Sequence, residues 1–230
     1  NGVLSLGSGA KVGDGGVLVN GGALSVPNTA TLDAASATTG GVKLVAQMGT
    51  SRFILPVIGY SGVDTISILN PLNFNVPIAG AILGVDGMAG TTSELAASID
   101  LNHVGGGSER VWLGNVTGFD RFFRGTLFNS ANSGMGDLRL TSGANTLVID
   151  FNDNVLGGGG AMNNLIFGFD HQNATGFVGS NFTQAATGTI SVRVNNSAAL
   201  GSVTVNRGVT VNINGLINTP LGAGPVTMLG

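Results

Sequence analysis

Two histidines and a few scattered carboxylates are the side chains of this chain that could do chemistry. His103 lies near Asp100 and Ser98, and His171 follows Asp170. A Ser-His-Asp set needs a nucleophile, a base and an orienter, usually drawn from distant parts of the chain. Here the three types are merely sequence neighbours, and no GxSxG elbow accompanies them. Asp150 and Asp153 form the best local carboxylate pair, of the kind that cleaves glycosidic bonds or assists a lyase. Three residues apart on a strand, they face opposite sides and need a turn to converge. Solvated carboxylates at turns are the simpler reading. Asp150-Phe151-Asn152-Asp153-Asn154 imitates the opening of a calcium loop, but Val155 stands where the sharp-turn Gly belongs and the closing Glu is missing. No catalytic residue, metal site or cofactor site is assigned.

The segment from Gly118 to Gly125 mixes Phe119, Phe122 and Phe123 with Arg121 and Arg124. Such residues can stack on a sugar or a base. An edge salt bridge to Asp120 beside buried Phe is the commoner outcome. Asn115, Asn173, Asn181 and Asn195 open Asn-x-Ser/Thr sequons, which invite glycans in a eukaryotic secretory setting. Chance produces them readily in a chain so rich in Asn, Ser and Thr.

Composition narrows the class. The chain has 230 residues, of which 40 are Gly and 6 are Pro, with 43% hydrophobic and 9% charged residues. An average soluble domain carries about 7% Gly and about 25% charged residues. The hydrophobic content is too high for a disordered Gly-rich tail. Low charge with abundant Gly, Asn, Thr and Val suits a long-lived extracellular β-structure. Nine scattered Lys and Arg in a chain of net charge −3 argue against a nucleic-acid surface. Thiol chemistry is excluded by the absence of Cys. No run reaches the roughly 18 apolar residues of a membrane helix, so no membrane-spanning helix is expected. Residue 1 is not Met and no signal peptide follows it, as in a mature product or an excised piece.

The elements are short strands. From Gly188 to Gly230, Ile190, Val192 and Val194 alternate with Ser191 and Arg193. Val203 and Val205 bracket Thr204; Val209, Val211 and Ile213 bracket Thr210 and Asn212; Val226 and Met228 bracket Thr227. Period-two bursts of β-branched residues predict half-buried strands. Asn195-Asn196, Arg207-Gly208, Asn214-Gly215 and Gly222-Ala223-Gly224 tolerate positive φ and predict turns. Similar bursts begin at Val3, Ala10, Val17, Ala23 and Ala30. Three per coil give a repeat of about twenty residues, in the range of solenoids. Hairpins at Asn20-Gly21 are the competing reading.

Two sections depart from this pattern. Residues 42–90 are more hydrophobic, with Val42 to Met88 more continuously apolar. They predict a wider section of the same core, or a sticky surface that meets a neighbour. Within 91–102, Thr91 and Glu94 make a capping-box pattern ahead of Leu95, Ala96 and Ile99. That spacing predicts a short helix from about 92 to 101. Nine of the eleven Phe fall between Phe119 and Phe182, and stacked coils predict internal Phe ladders.

Leu140-Thr141-Ser142-Gly143-Ala144-Asn145-Thr146 and Ala199-Leu200-Gly201 resemble the strand repeats of bacterial autotransporter passenger proteins. The resemblance covers about half the chain. Val42 to Met88 does not fit it, and no carboxy-terminal membrane barrel is present. It implies a right-handed parallel β-helix, exported and displayed or released at a bacterial surface. The last strand, Pro225 to Leu229, stops as if a further coil should follow.

The expected fold is all-β: a single parallel β-helix or solenoid domain over 1–230, with Gly/Asn-rich turns and at most one short helix. The expected function is that of an extracellular structural or surface protein. It would act by self-association into fibres, through end-to-end or lateral β contacts, or by adhesion to a glycan or a host or cell surface. A polysaccharide-active β-helix lyase or hydrolase is the alternative, and a glycan- or ice-binding module a third reading. Thr29, Thr31, Thr187 and Thr189 are too isolated to make the outward Thr array an ice-binding face needs.

Overall fold

Among the described residues the regular elements are short strands, and every pairing but that of Gln47–Met48 with Phe53–Ile54 is parallel. A computed structural model describes strand segments spread over residues 3–101. It describes more continuously residues 111–115, 119–129, 136–143, 145–150, 153, 155–157, 162–169, 174–175, 188–197, 199, 201–214 and 218–229. Helix is almost absent from these residues, Leu101 alone having a 3₁₀ assignment.

Among the described residues the strands fall into five sheets. The longest has nine strands in chain order: Val3–Ser5, Ala23–Val26, Val57–Tyr60, Ala81–Val85, Val111–Asn115, Asp137–Ser142, Asn164–Phe167, Val203–Val205 and Val226–Met228. Every pairing in it is parallel. A second sheet, also parallel and in chain order, joins Glu94–Leu95, Arg121–Phe123, Thr146–Ile149, Thr189–Val192 and Thr210–Ile213. A third runs through Ser67–Ile68, Ser98–Asp100 and Thr126–Phe128 and is prolonged by a bridge from Leu127 to Leu156. Between its visits to the long sheet at Val111–Asn115 and Asp137–Ser142, the chain passes through one strand of the second sheet and one of the third. Three strands per pass is what the spacing of apolar bursts predicts.

The register aligns residues in continuous files. Leu4, Leu24, Ile58, Leu83, Leu113, Leu140, Phe167, Val205 and Met228 are successive partners along the long sheet. Leu83, Leu113, Leu140, Phe167 and Val205 are buried in one core cluster with Phe123, Ile149 and Ile190 of the second sheet and Ile99, Leu127 and Leu156 of the third. Among the described residues, Phe joins aliphatic files instead of forming Phe ladders. Phe167 stacks between Leu140 and Val205, and Phe123 pairs with Ile149. A parallel register matches position in the winding and not residue type, so any apolar side chain of suitable volume serves. Phe151, Phe177 and Phe182 lie outside the described residues.

The helix expected over 92–101 is not there. Glu94–Leu95 pairs with Phe122 and Phe123, and Ser98–Asp100 pairs with both Ser67–Ile68 and Thr126–Phe128. A helix cap contributes about 1 kcal/mol, whereas burying an Ile side chain contributes about 1.5–3 kcal/mol. Ile99 is fully buried between Ile68 and Leu127 positions. Tertiary pairing therefore overrides the local signal. The alternative hairpin at Asn20-Gly21 is also absent: Val17–Asn20 pairs with Val42–Val45, and Ala23–Val26 with Val3–Ser5 and Val57–Tyr60, all parallel.

The more apolar section acquires a second packing layer. Ile82, Leu83 and Gly84 are all buried, although adjacent strand residues point to opposite faces. Next to Ile82 in register, Trp112 is 0% exposed. Its Nε1–H donates to the Gly168 carbonyl at 3.0 Å. Phe169 meets its ring edge-on at 5.0 Å, and Arg139, the next residue in register, lies 5.5 Å from the ring centroid. Further along, Ala174–Thr175 pairs with Phe53–Ile54. At Ile82–Gly84 the strand is thus buried on both faces; the burial of the rest of the apolar section lies outside the described residues.

Cutting a rung from the middle of the long file should be far more damaging than cutting one at its end. Phe167→Ala is expected to destabilise the chain by about 3–5 kcal/mol, and Met228→Ala by about 0.5 kcal/mol or less. Chemical denaturation followed by circular dichroism measures both.

Candidate functional site

Asp150 and Asp153 each have partners of their own. Asp150 Oδ1 accepts from Arg124 Nε at 2.8 Å, and its Oδ2 lies 4.0 Å from an Arg193 nitrogen. Register explains the trio. Phe123, Ile149 and Val192 are successive partners in the second sheet, and Arg124, Asp150 and Arg193 are the residues that follow them. The result is a file of alternating charge along one corner, partly exposed, in which each pair contributes about 0–1 kcal/mol. Asp153 is occupied separately, its Oδ1 accepting the Asn195 N–H at 3.0 Å. Ser98 and Asp100 lie on one strand of the third sheet; His103, Asp170 and His171 lie outside the described residues. Among the described residues no group of three or more His, Cys, Asp or Glu could hold a metal ion. Phe151, Asn152 and Asn154 of the calcium-like stretch also lie outside them.

In the Gly118–Gly125 segment the aromatics divide. Phe123 is buried, while Phe119 is 51% exposed. Arg121 is only 2% exposed. Its guanidinium carbon lies 5.6 Å from the Phe119 ring centroid, and NH1 donates to the Asp120 carbonyl at 3.2 Å. Arg124 lies 5.1 Å from the Phe122 ring centroid. Both arginines are engaged with the protein's own rings, and the ion pair at this edge is Arg124 with Asp150. Asp120 instead accepts the Thr146 N–H at 2.9 Å.

Asparagine does the most extensive polar work, and it is structural. Asn115, first residue of a sequon, is fully buried and donates to the carbonyls of Phe119 and Thr146 at 2.8 and 2.9 Å. Asn195, another, accepts the N–H groups of Asn218 and Thr219 at 2.9 and 3.1 Å. Asn173 and Asn181 lie outside the described residues. Asn163 Nδ2 donates to the carbonyls of Asn129 and Gly136, and its Oδ1 accepts the Asn129 N–H. Asn196 accepts the Leu156 N–H at 2.8 Å and donates to the Pro220 carbonyl at 2.7 Å. Each ties a corner to the corner of an adjacent pass, where strand pairing has stopped and backbone groups would otherwise be buried without partners. Sequence reading found the turns but not these staples.

Among the described residues, Val3–Ser5 and Val226–Met228 each have a paired strand on one side only. Leu4 is 58% exposed, Val226 56% and Met228 77%. Leu4 and Met228 belong to the same file, whose rungs from Leu83 to Val205 are buried. Beside the second end, Ile213 of the second sheet's last strand and Leu229 are exposed as well.

Asn196→Ala leaves the Leu156 N–H and the Pro220 carbonyl without their partner, and is expected to destabilise the chain by about 1–3 kcal/mol. Asp150→Asn, at a partly exposed corner, is expected to change stability by about 1 kcal/mol or less. Urea denaturation of the two variants compares them directly; equal losses would contradict the structural role given to the staples.

No protein-family model matches the chain, and neither does any curated protein or any solved structure.

Proposed function

We propose that this chain is a right-handed parallel β-helix of an extracellular, bacterial surface-type structural protein, acting by self-association into fibres or by adhesion. The observation that carries the reading is the parallel register of the nine-stranded sheet, which lines up apolar residues from Leu83 to Val205 in one buried file. Stacked units of this kind bury a core only against their neighbours, as solenoid proteins do.

The handedness follows from sheet physics. Parallel strands of one sheet joined by a crossover connect in the right-handed sense in about 98% of cases. The extracellular placement is supported by a 9% charged composition and by 40 Gly, which suit packing and stacking more than solvation. The resemblance of Leu140–Thr146 and Ala199–Gly201 to passenger repeats points the same way. Asp120, Asp150 and Asp153 and the aromatic–Arg segment are engaged internally, which favours a structural role over polysaccharide cleavage.

Negative-stain electron microscopy across a concentration series tests this reading. Nine strands at 4.7–4.9 Å spacing give a stack about 40 Å long. Rods well beyond that length should appear as concentration rises. Discrete particles at every concentration would remove the fibre reading.

A further inference from the structure

We infer that residues 168–188 are an insert in one corner of the winding, and that its first residues form a detachable cover over Trp112. Three other connections lead from the long sheet to the second sheet. Five residues separate Asn115 from Arg121, three separate Ser142 from Thr146, and four separate Val205 from Thr210. Between Phe167 and Thr189 there are 21. The flanking strands keep their places regardless. Leu165–Phe167 pairs with Leu138–Leu140 and with Val203–Val205, and Thr189–Val192 pairs with Thr146–Ile149, all in unbroken parallel register. The roots of the insert lie side by side. The Gly168 N–H donates to the Leu140 carbonyl at 2.8 Å, and the Gly188 N–H to the Ser142 carbonyl at 3.0 Å. Leu140 and Ser142 are two residues apart on one strand, a step of about 6.6 Å. A chain that leaves and returns within such a step adds residues without displacing the strands it joins. Both roots fit closely: a Cβ at Gly188 would overlap the Gly143 carbonyl oxygen, and one at Gly168, where φ is +79°, would come within 2.9 Å of the Val209 side chain.

Gly168 and Phe169 lie over the outer face of the long sheet. Ile82 and Trp112 are partners in register there, and both are buried on the side away from the core file. Trp112 donates to the Gly168 carbonyl and meets the Phe169 ring, so both of these contacts come from the insert. Ala174–Thr175, further along it, pairs with Phe53–Ile54. The described attachments are therefore one indole hydrogen bond, one ring contact and a two-residue pairing. Segments with few contacts open at lower free energy than the paired strands beneath them. Asn206 Nδ2 also donates to the Gly168 carbonyl, at 3.3 Å, and that bond holds the root when the indole is released. Opening bares Ile82 and Trp112 while the file from Leu83 to Val205 stays closed.

Trp112 is the single tryptophan of the chain, so its emission reads the cover directly. In one variant residues 169–187 are replaced by Ser-Gly within the otherwise full chain; in a second, Phe169→Ala is made alone. The shortened chain should keep its far-ultraviolet β signal and a cooperative denaturation. Its Trp112 emission should shift to the red, and acrylamide should quench it about threefold more strongly once the indole meets water. Phe169→Ala should raise quenching in the same direction, by a smaller factor, with the β signal retained. Loss of the β signal in either variant would overturn the inference, because the residues removed would then belong to the winding's own core. Retained β signal with emission and quenching unchanged in either variant would overturn the cover.

Discussion

Everything in this structure depends on the shared register of its parallel strands. Strands of two to six residues have too few hydrogen bonds and too little apolar surface to hold a conformation alone. They persist because each is held by the strand before and the strand after it in the stack. Leu113 is buried only because Leu83 lies on one side and Leu140 on the other. A slip of one residue would exchange faces, carrying Trp112 inward and Leu113 outward. The files are thus both the core and the device that fixes the register.

Files require that the corners stack as closely as the strands. At one corner Gly157, Ala199 and Gly222 lie one above another. A Cβ at Gly157, where φ is +86°, would come within 2.8 Å of the Ala199 backbone, and Gly222 (φ +82°) faces Ala199 from the other side. Where the corner residue is larger it is usually Asn, whose amide can serve one neighbour as donor and another as acceptor. Asn163 and Asn196 both do so. Abundant Gly and Asn with little charge is therefore one consequence of winding a chain tightly enough for its rungs to touch.

This explains which features were legible in the sequence. The alternation Ile190, Val192, Val194 and Val203, Val205 is local, and all five are buried as the pattern requires. Gly208 and Gly222 take the positive φ expected of them. Register was not legible, because the passes differ in length. From Leu138 to Leu165 the chain advances 27 residues before returning to the sheet, and from Leu165 to Val203 it advances 38. Without register, the neighbours of any residue stay hidden. Asp150 could be recognised as an acid but not as the partner of Arg124 and Arg193. The staples of Asn115 and Asn196 read as polar turn residues or a glycan acceptor. The Thr91–Glu94 cap pattern misled for the same reason: the sequence shows a local helix signal and conceals the strands at Ser67–Ile68 and Thr126–Phe128 that Ser98–Asp100 pairs with. Trp112 had no local signal at all, since its burial depends on Gly168 and Phe169.

The same physics sets where a lesion is felt. In a stack whose units touch only their nearest neighbours, stability is close to a sum of units and the interfaces between them. An interior strand such as Asp137–Ser142 has two such interfaces, to Val111–Asn115 and to Asn164–Phe167. A rung lost from it weakens both at once, and the register that joins them is what the neighbouring strands then lose.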